Sequence, residues 1–287
     1  MVKVGVFSDE VSQDLDTAIA FAKHYGLDGL ELRSVWDRGP FEWTREDVAR
    51  MREKLENAQL SACCLSLPFY KCEIDRMDER ETHLNGLLRA IDYAHALECR
   101  MIRGFDFWRH GGETPVERIA EAYMPVVDML KDTGITLAME IEPSTYAASA
   151  RELRAVLDAI GSGCIRALWD GGNLLWSESG EYPPDGYPIL RDMIVHVHVK
   201  DGKRVDGKTE AVRIGTGESD VTAQFALLKA DGYSGWVSLE THYRLSGAIS
   251  DAQFRLPSGS AFSEGGYAAS AESMESLLGV IRALDMA

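Results

Sequence analysis

The sequence predicts an α/β fold, a single (β/α)8 TIM barrel over residues 1–287. Three observations point there. Eight short apolar runs, each followed by a longer helical pattern, recur roughly every 30 residues, the size of a barrel unit. Connections from a helix to the next strand are tight, as at Tyr25-Gly26-Leu27, whereas those after strands are long: 67–77, 106–113, 171–184, 201–220 and 243–267. In a barrel all strand-to-helix loops share one rim, where binding and catalytic sites are built. The third observation is Ile194-Val195-His196-Val197-His198-Val199-Lys200-Asp201, in which Val alternates with His, His and Lys. A strand turns alternate side chains to opposite faces, so Val packs under helices while the imidazoles and the ammonium line the interior near its mouth. A doubly wound open sheet is the rival. It lacks support, because Phe7-Ser8-Asp9-Glu10 stands where a dinucleotide fingerprint would follow the first strand.

Taken in order, the strands are expected at 3–7, 28–33, 60–66, 100–105, 135–142, 164–170, 194–200 and 236–242. Helices are expected at 14–25, 44–57, 78–97, 114–133, 149–161, near 185–192, at 221–231 and at 268–285. Glycines at 26, 134, 161 and 232 supply stops after helical patterns. The 243–267 segment, with Pro257-Ser258-Gly259-Ser260 and Gly265-Gly266, reads as a lid or an oligomer contact. No interdomain linker, low-complexity run or short-period repeat interrupts the pattern, so one domain is expected.

Composition narrows the function. Hydrophobic content of 45% and charged content of 26% are ordinary for a soluble globular protein. The formal charge is −16, against the basic footprint of a nucleic-acid binder. No apolar stretch approaches a membrane span, and the N-terminus enters a strand-like run without a leader pattern. The five cysteines (63, 64, 72, 99, 164) show no CxxC spacing, which reads as reduced thiols and a cytoplasmic location.

The same period-two reading applies to the late strands. In Leu137-Ala138-Met139-Glu140-Ile141-Glu142 the even positions are Ala, Glu and Glu; Asp170 falls opposite Trp169; Ser238, Glu240 and His242 share a face. Four consecutive strands thus each deliver an acid or imidazole to the interior near the C-terminal end: Glu140, Asp170, His198 and Glu240. Three carboxylates and one imidazole crowded together would raise one another's pKa sharply. One divalent metal ion removes the conflict, and these oxygen and nitrogen donors suit Mn, Mg, Co or Zn. Taken singly, each acid also fits a solvated rim residue or a helix cap, and His196, one layer deeper, fits a structural histidine bonded to a neighbour.

With these motifs in view, the chain resembles the sugar phosphate isomerase/epimerase family with its xylose-isomerase-like barrel. That family includes tagatose- and psicose-type 3-epimerases, inosose dehydratase and the zinc endonuclease IV branch. The resemblance spans nearly the whole chain and rests on Met139-Glu140-Ile141-Glu142-Pro143, Trp169-Asp170-Gly171-Gly172-Asn173, His196-Val197-His198-Val199-Lys200-Asp201, Gly215-Thr216-Gly217-Glu218 and Ser238-Leu239-Glu240-Thr241-His242. It implies that Glu140, Asp170, His198 and Glu240 are metal ligands and that Glu140 and Glu240 flank a sugar as acid/base groups. The implied reaction is proton transfer through a metal-stabilised enediolate of a ketose or polyol-derived sugar, phosphorylated or not. Glu142 and Asn173 stand where relatives often carry a substrate-touching histidine, and Arg204 where some 3-epimerases carry a substrate-binding arginine.

Further residues point to the same rim. Lys200, Arg103 and Lys71 would neutralise an enediolate, carboxylate or phosphate, with a buried pairing to Glu31 the other reading of Arg103; His242 completes the substrate-binding set. Trp36, Phe69, Phe107 and Trp108 read as apolar walls or as packing. The Gly215–Asp220 segment reads either as a phosphate cradle or as a turn with an Asp cap. Beside an isomerase or epimerase stand an inosose-dehydratase-like lyase and a non-catalytic sugar-binding barrel. A DNA endonuclease is disfavoured by the acidic charge and by Ser66-Leu67-Pro68 closing the third strand. The expected partner is a small sugar, with a homo-oligomer as the expected assembly and neither nucleic acid nor membrane.

Overall fold

Eight parallel strands close into the expected barrel in a computed structural model that describes residues 1–287. They are β1 (Lys3–Phe7), β2 (Gly29–Leu32), β3 (Ser61–Phe69), β4 (Met101–Gly104), β5 (Thr136–Glu140), β6 (Ile165–Asp170), β7 (Ile194–Val199) and β10 (Trp236–Leu239). Each pairs with its sequence neighbour, and β1 closes the ring on β10. A separate antiparallel hairpin, β8 (Gly202–Val205) and β9 (Lys208–Ala211), fills part of the 201–220 loop.

The helices form where sequence periodicity and local capping agree. Asp14 accepts from the Thr17 amide, Thr44 and Asp47 make a reciprocal capping box, and Ser149 accepts from the Glu152 amide. Gly26 and Gly161 end their helices at φ of 64° and 62°, a conformation that costs a side-chain-bearing residue more. The apolar faces of these helices and the outward faces of the strands form one continuous hydrophobic cluster around the barrel. No helix is long and apolar enough to cross a membrane.

The departures from expectation lie on the rim. β5 ends at Glu140 and β10 at Leu239, so Glu142, Glu240 and His242 stand on the loops that follow rather than in the strands. A helical turn, Ser8–Val11, begins directly after β1, and two short helices, Asp251–Arg255 and Gly259–Ser263, structure the 243–267 segment. None of these has the length for a periodic apolar pattern, which is why periodicity missed them.

Inside the barrel the residues are unusually polar. Glu31, Ser66, Arg103, His196, His198 and Ser238 are all buried. The strand ends also approach closely. A Cβ added to Gly172 would lie 2.6 Å from both the Cβ and the carbonyl oxygen of Lys200. Only a glycine after β6 lets the end of β7 sit where it does. Replacing Gly172 by Ala is therefore expected to cost about 1–3 kcal/mol of stability through overpacking. Urea unfolding measures this, and an unchanged midpoint would show that the contact is easily relieved.

Candidate active site

Glu140 closes β5, Asp170 closes β6, His198 is the penultimate residue of β7, and Glu240 directly follows β10. Register pairs Asp170 with His198, and His198 with Ser238, two residues ahead of Glu240. The period-two alternation turns all four inward. One ligand-capable atom from each lies within 4.8 Å of those of the other three, and all four residues are buried. His198 Nδ1 is 3.1 Å from Glu140 Oε1 and 3.6 Å from Glu240 Oε2.

Three cations face the same acids. Lys200 Nζ lies 3.1 Å from Asp170 Oδ2 and 2.9 Å from Glu240 Oε2. Arg103 Nη1 lies 3.2 Å from Glu140 Oε2 and 3.7 Å from Glu240 Oε1. Arg33 donates to Glu240 and also pairs with Asp9 at 3.0 Å. Burial alone would raise Glu140, but His198 and Arg103 outweigh it and hold the acid down at about 2. Burial, helped by the two neighbouring carboxylates, pushes Asp170 up to about 6 despite Lys200. Burial acts to lower His198, yet Glu31 and Glu140 on its two sides push it up to about 10. Its imidazolium form thus donates one N–H to each acid.

These donors fit a divalent ion. Asp170 Oδ2 and Glu240 Oε2 are buried and share the Lys200 ammonium, at 3.1 and 2.9 Å, as their nearest positive partner. Such atoms are satisfied by a cation placed among them. Lys200 already donates to Asn173 Oδ1 at 2.9 Å, a partner it keeps if an ion takes its place between the two acids. With three oxygens, one nitrogen and no thiolate, the set favours Mn, Mg, Co or Zn. A second group, Glu31, Cys64 and His196, comes equally close. It fits an ion less well: Glu31 is already occupied by three donors, and burial pushes the Cys64 thiol well up.

Around the cluster lies a pocket whose lining includes Lys71, Arg103, Glu142, Asn173, Lys200 and His242. Its free volume is about 10 Å³, room for roughly one water or ion. Lys71 Nζ donates to Glu142 Oε2 at 2.6 Å and to the carbonyl of Arg255 at 2.7 Å. Asn173 Nδ2 donates to Glu140 Oε1 at 3.2 Å and to the carbonyl of Ile141 at 2.8 Å. His242 Nδ1 is 2.7 Å from Glu10 Oε1. Phe254 and Pro257, from the 243–267 segment, cover the pocket.

One expectation needs correction, and where two readings stood open the structure selects between them. Arg204 stands exposed on the β8–β9 hairpin and is not brought to the pocket. Arg103 does not pair with Glu31, whose carboxylate is taken by His196, His198 and Ser66. Phe69 and Phe107 are core residues stacked on the two sides of Tyr70. Trp36 lies over Arg50 instead of a pocket, while half-buried Trp108 packs near Lys71 and Arg255. The Gly215–Asp220 cradle is occupied by the chain itself. Asp201 accepts from the amides of Gly202, Gly215, Gly217 and Ser219 and from the Ser219 hydroxyl, while Asp220 caps the next helix. Sequence reasoning missed Asp9, Glu10 and Arg33, and named Glu31 only as a partner for Arg103. Glu31 on β2 and Arg33 directly after it share parity, the same signal that marks the late strands.

The chain matches the model of the xylose isomerase-like TIM barrel over residues 19–277, and it belongs to that family. A comparison with curated proteins finds no match. Among solved structures it is similar to a xylose isomerase domain protein from Planctomyces limnophilus, with a TM-score of 0.76 at 15% identity, covering 100% of this chain and 99% of that one. It is also similar to a D-allulose 3-epimerase from Methylomonas sp., with a TM-score of 0.73 at 19% identity, covering 97% and 98%. A third similar structure is that of the IOLI protein, with a TM-score of 0.74 at 14% identity, covering 98% of each chain.

The Asp201 carboxylate supplies a direct test of the loop reading. Asp201→Ala would strand the buried amides of Gly202 and Ser219 and release the part-buried ones of Gly215 and Gly217, and a stability loss of about 2–4 kcal/mol is expected. Urea unfolding checks it; a loss below about 0.5 kcal/mol would mean that the loop resolvates freely.

Proposed function

We propose that this xylose isomerase-like barrel is a metal-dependent isomerase or epimerase of a ketose or polyol-derived sugar. Glu140, Asp170, His198 and Glu240 would hold one divalent ion. The observation that carries the reading is the approach of these four donors to within 4.8 Å of one another, with Glu140 and Glu240 lining a covered pocket. Support comes from two similar structures, one described as a D-allulose 3-epimerase and one described with a bound zinc atom. When bound, the ion supplies Lewis acidity, polarising a sugar carbonyl and acidifying the adjoining C–H.

The chain's own residues supply the rest. Glu140 and Glu240 are both held below the usual carboxylate range, so both are ionised and either can serve as the proton acceptor. One carboxylate removes the proton from the activated carbon. The other, which takes up a solvent proton before the step, returns it from the opposite face and inverts the centre, and the first carboxylate then releases its proton to solvent. Arg103 and Lys200 are placed to offset the negative charge that develops on the substrate oxygens. Lys71, Glu142, Asn173 and His242 offer polar groups to hydroxyls. Phe254 and Pro257 exclude water once the sugar is seated. With about 10 Å³ free, a sugar enters only after the 251–257 segment lifts, breaking the Lys71 hydrogen bond to Arg255.

The test is solvent isotope incorporation. Protein loaded in turn with Mn, Mg, Co or Zn is incubated with a panel of ketoses and inososes in D₂O. An epimerised or isomerised product carrying solvent deuterium is expected, with kcat lowered about 10²–10⁴-fold in Glu140→Gln or Glu240→Gln. Absence of deuterium from every sugar with metal bound would sink the proposal. A deuterated product lighter by one water would instead make the protein a lyase that shares the first proton abstraction.

A further inference from the structure

Beneath the acid cluster, Glu31 reaches in from β2, a strand not adjacent to β7. It is fully buried and lies outside the pocket lining. Its Oε1 accepts from His198 Nε2 at 3.0 Å and from the Ser66 hydroxyl, and its Oε2 accepts from His196 Nε2 at 2.8 Å. The His198 ring is also held edge-on against Phe7, with centroids 4.9 Å apart. Its other nitrogen, Nδ1, faces Glu140 and Glu240.

We infer that Glu31 is the positioning residue that makes His198 an Nδ1 metal donor, by holding the Nε2–H of the imidazole beneath the ion. This rests on the metal-centre reading above. A neutral imidazole has one N–H and one lone pair, and a carboxylate can only accept. Without an ion both nitrogens face carboxylates and both carry hydrogen; an ion among the four donors takes the place of the hydrogen on Nδ1, and the remaining hydrogen stays on Nε2, where Glu31 accepts it. His196 and Ser66 complete the arrangement. With three donors on its two oxygens, Glu31 cannot rotate without stranding one of them in the interior. A glutamine at this position would accept through its oxygen and donate through its nitrogen, so one of the two imidazoles would meet a donor where it now meets an acceptor.

Two measurements test this. The first uses the wild-type chain labelled with ¹⁵N-histidine and loaded with Zn²⁺, in which proton–nitrogen correlations report the tautomer. His198 is expected to keep hydrogen on Nε2 and to bind zinc through Nδ1; binding through Nε2 would overturn the inference while leaving the metal centre intact. The second is chelator competition for Zn²⁺. Glu31→Gln and Glu31→Ala are expected to weaken binding about 10–100-fold, and Ser66→Ala by less than either. Wild-type affinity in a folded Glu31→Gln would overturn the positioning role. If the variants fail to fold, the wild-type tautomer decides alone, because a purely structural Glu31 does not dictate which nitrogen takes the metal. A wild-type chain that binds no zinc would remove both this inference and the reading beneath it.

Discussion

Glu140, Asp170 and Glu240 place three carboxylates among atoms that approach within 4.8 Å, on a floor from which water is largely excluded. Each like-charge pair at such separations opposes folding by on the order of 4 kcal/mol at an effective dielectric of about 20. Nothing in the fold offsets that unless positive charge is brought to the same place. Lys200, Arg103 and Arg33 do so from β7, β4 and the end of β2, and His198 adds a fourth positive group. The barrel makes the convergence attainable, because strands distant in sequence end on one rim with alternate side chains turned inward.

A second layer keeps the first in place. Glu31 joins two histidines and a serine below the cluster, and Asp201 draws the turn after β7 together through five hydrogen bonds. Gly172 lets the end of β7 pack against the turn that follows Asp170. Above the cluster, Phe254 and Pro257 close the pocket, tied to the rim through Lys71 and the carbonyl of Arg255. Charged groups are thus buried on a rigid frame and covered by a short segment with few anchors, an arrangement suited to chemistry that requires water to be excluded during turnover.

Much of this was legible in the chain. Strand-to-helix alternation gave the barrel, and reading the late strands with a period of two picked out Glu140, Asp170, His198 and Glu240, which the fold does bring together. Spacing could not show how the acids are balanced. Which cation meets which acid depends on barrel closure, so Arg103 turned out to face Glu140 and Glu240, and Arg33 went unnoticed. Loop residues were the least readable, since no periodicity constrains them. Arg204 stands exposed on a hairpin, whereas Phe254, not singled out by any pattern, covers the pocket. The glycines at 215 and 217 had the look of an anion cradle because they are one, with Asp201 as the anion.

All of this turns on whether a single cation sits among the four donors. Crystals of the protein grown with Mn²⁺ or Zn²⁺ and measured at the metal's absorption edge locate it directly. The expected result is one anomalous peak bounded by Glu140, Asp170, His198 Nδ1 and Glu240 at about 2.0–2.4 Å. No peak there, with the Lys200 ammonium still between Asp170 and Glu240 at saturating metal, would contradict the account.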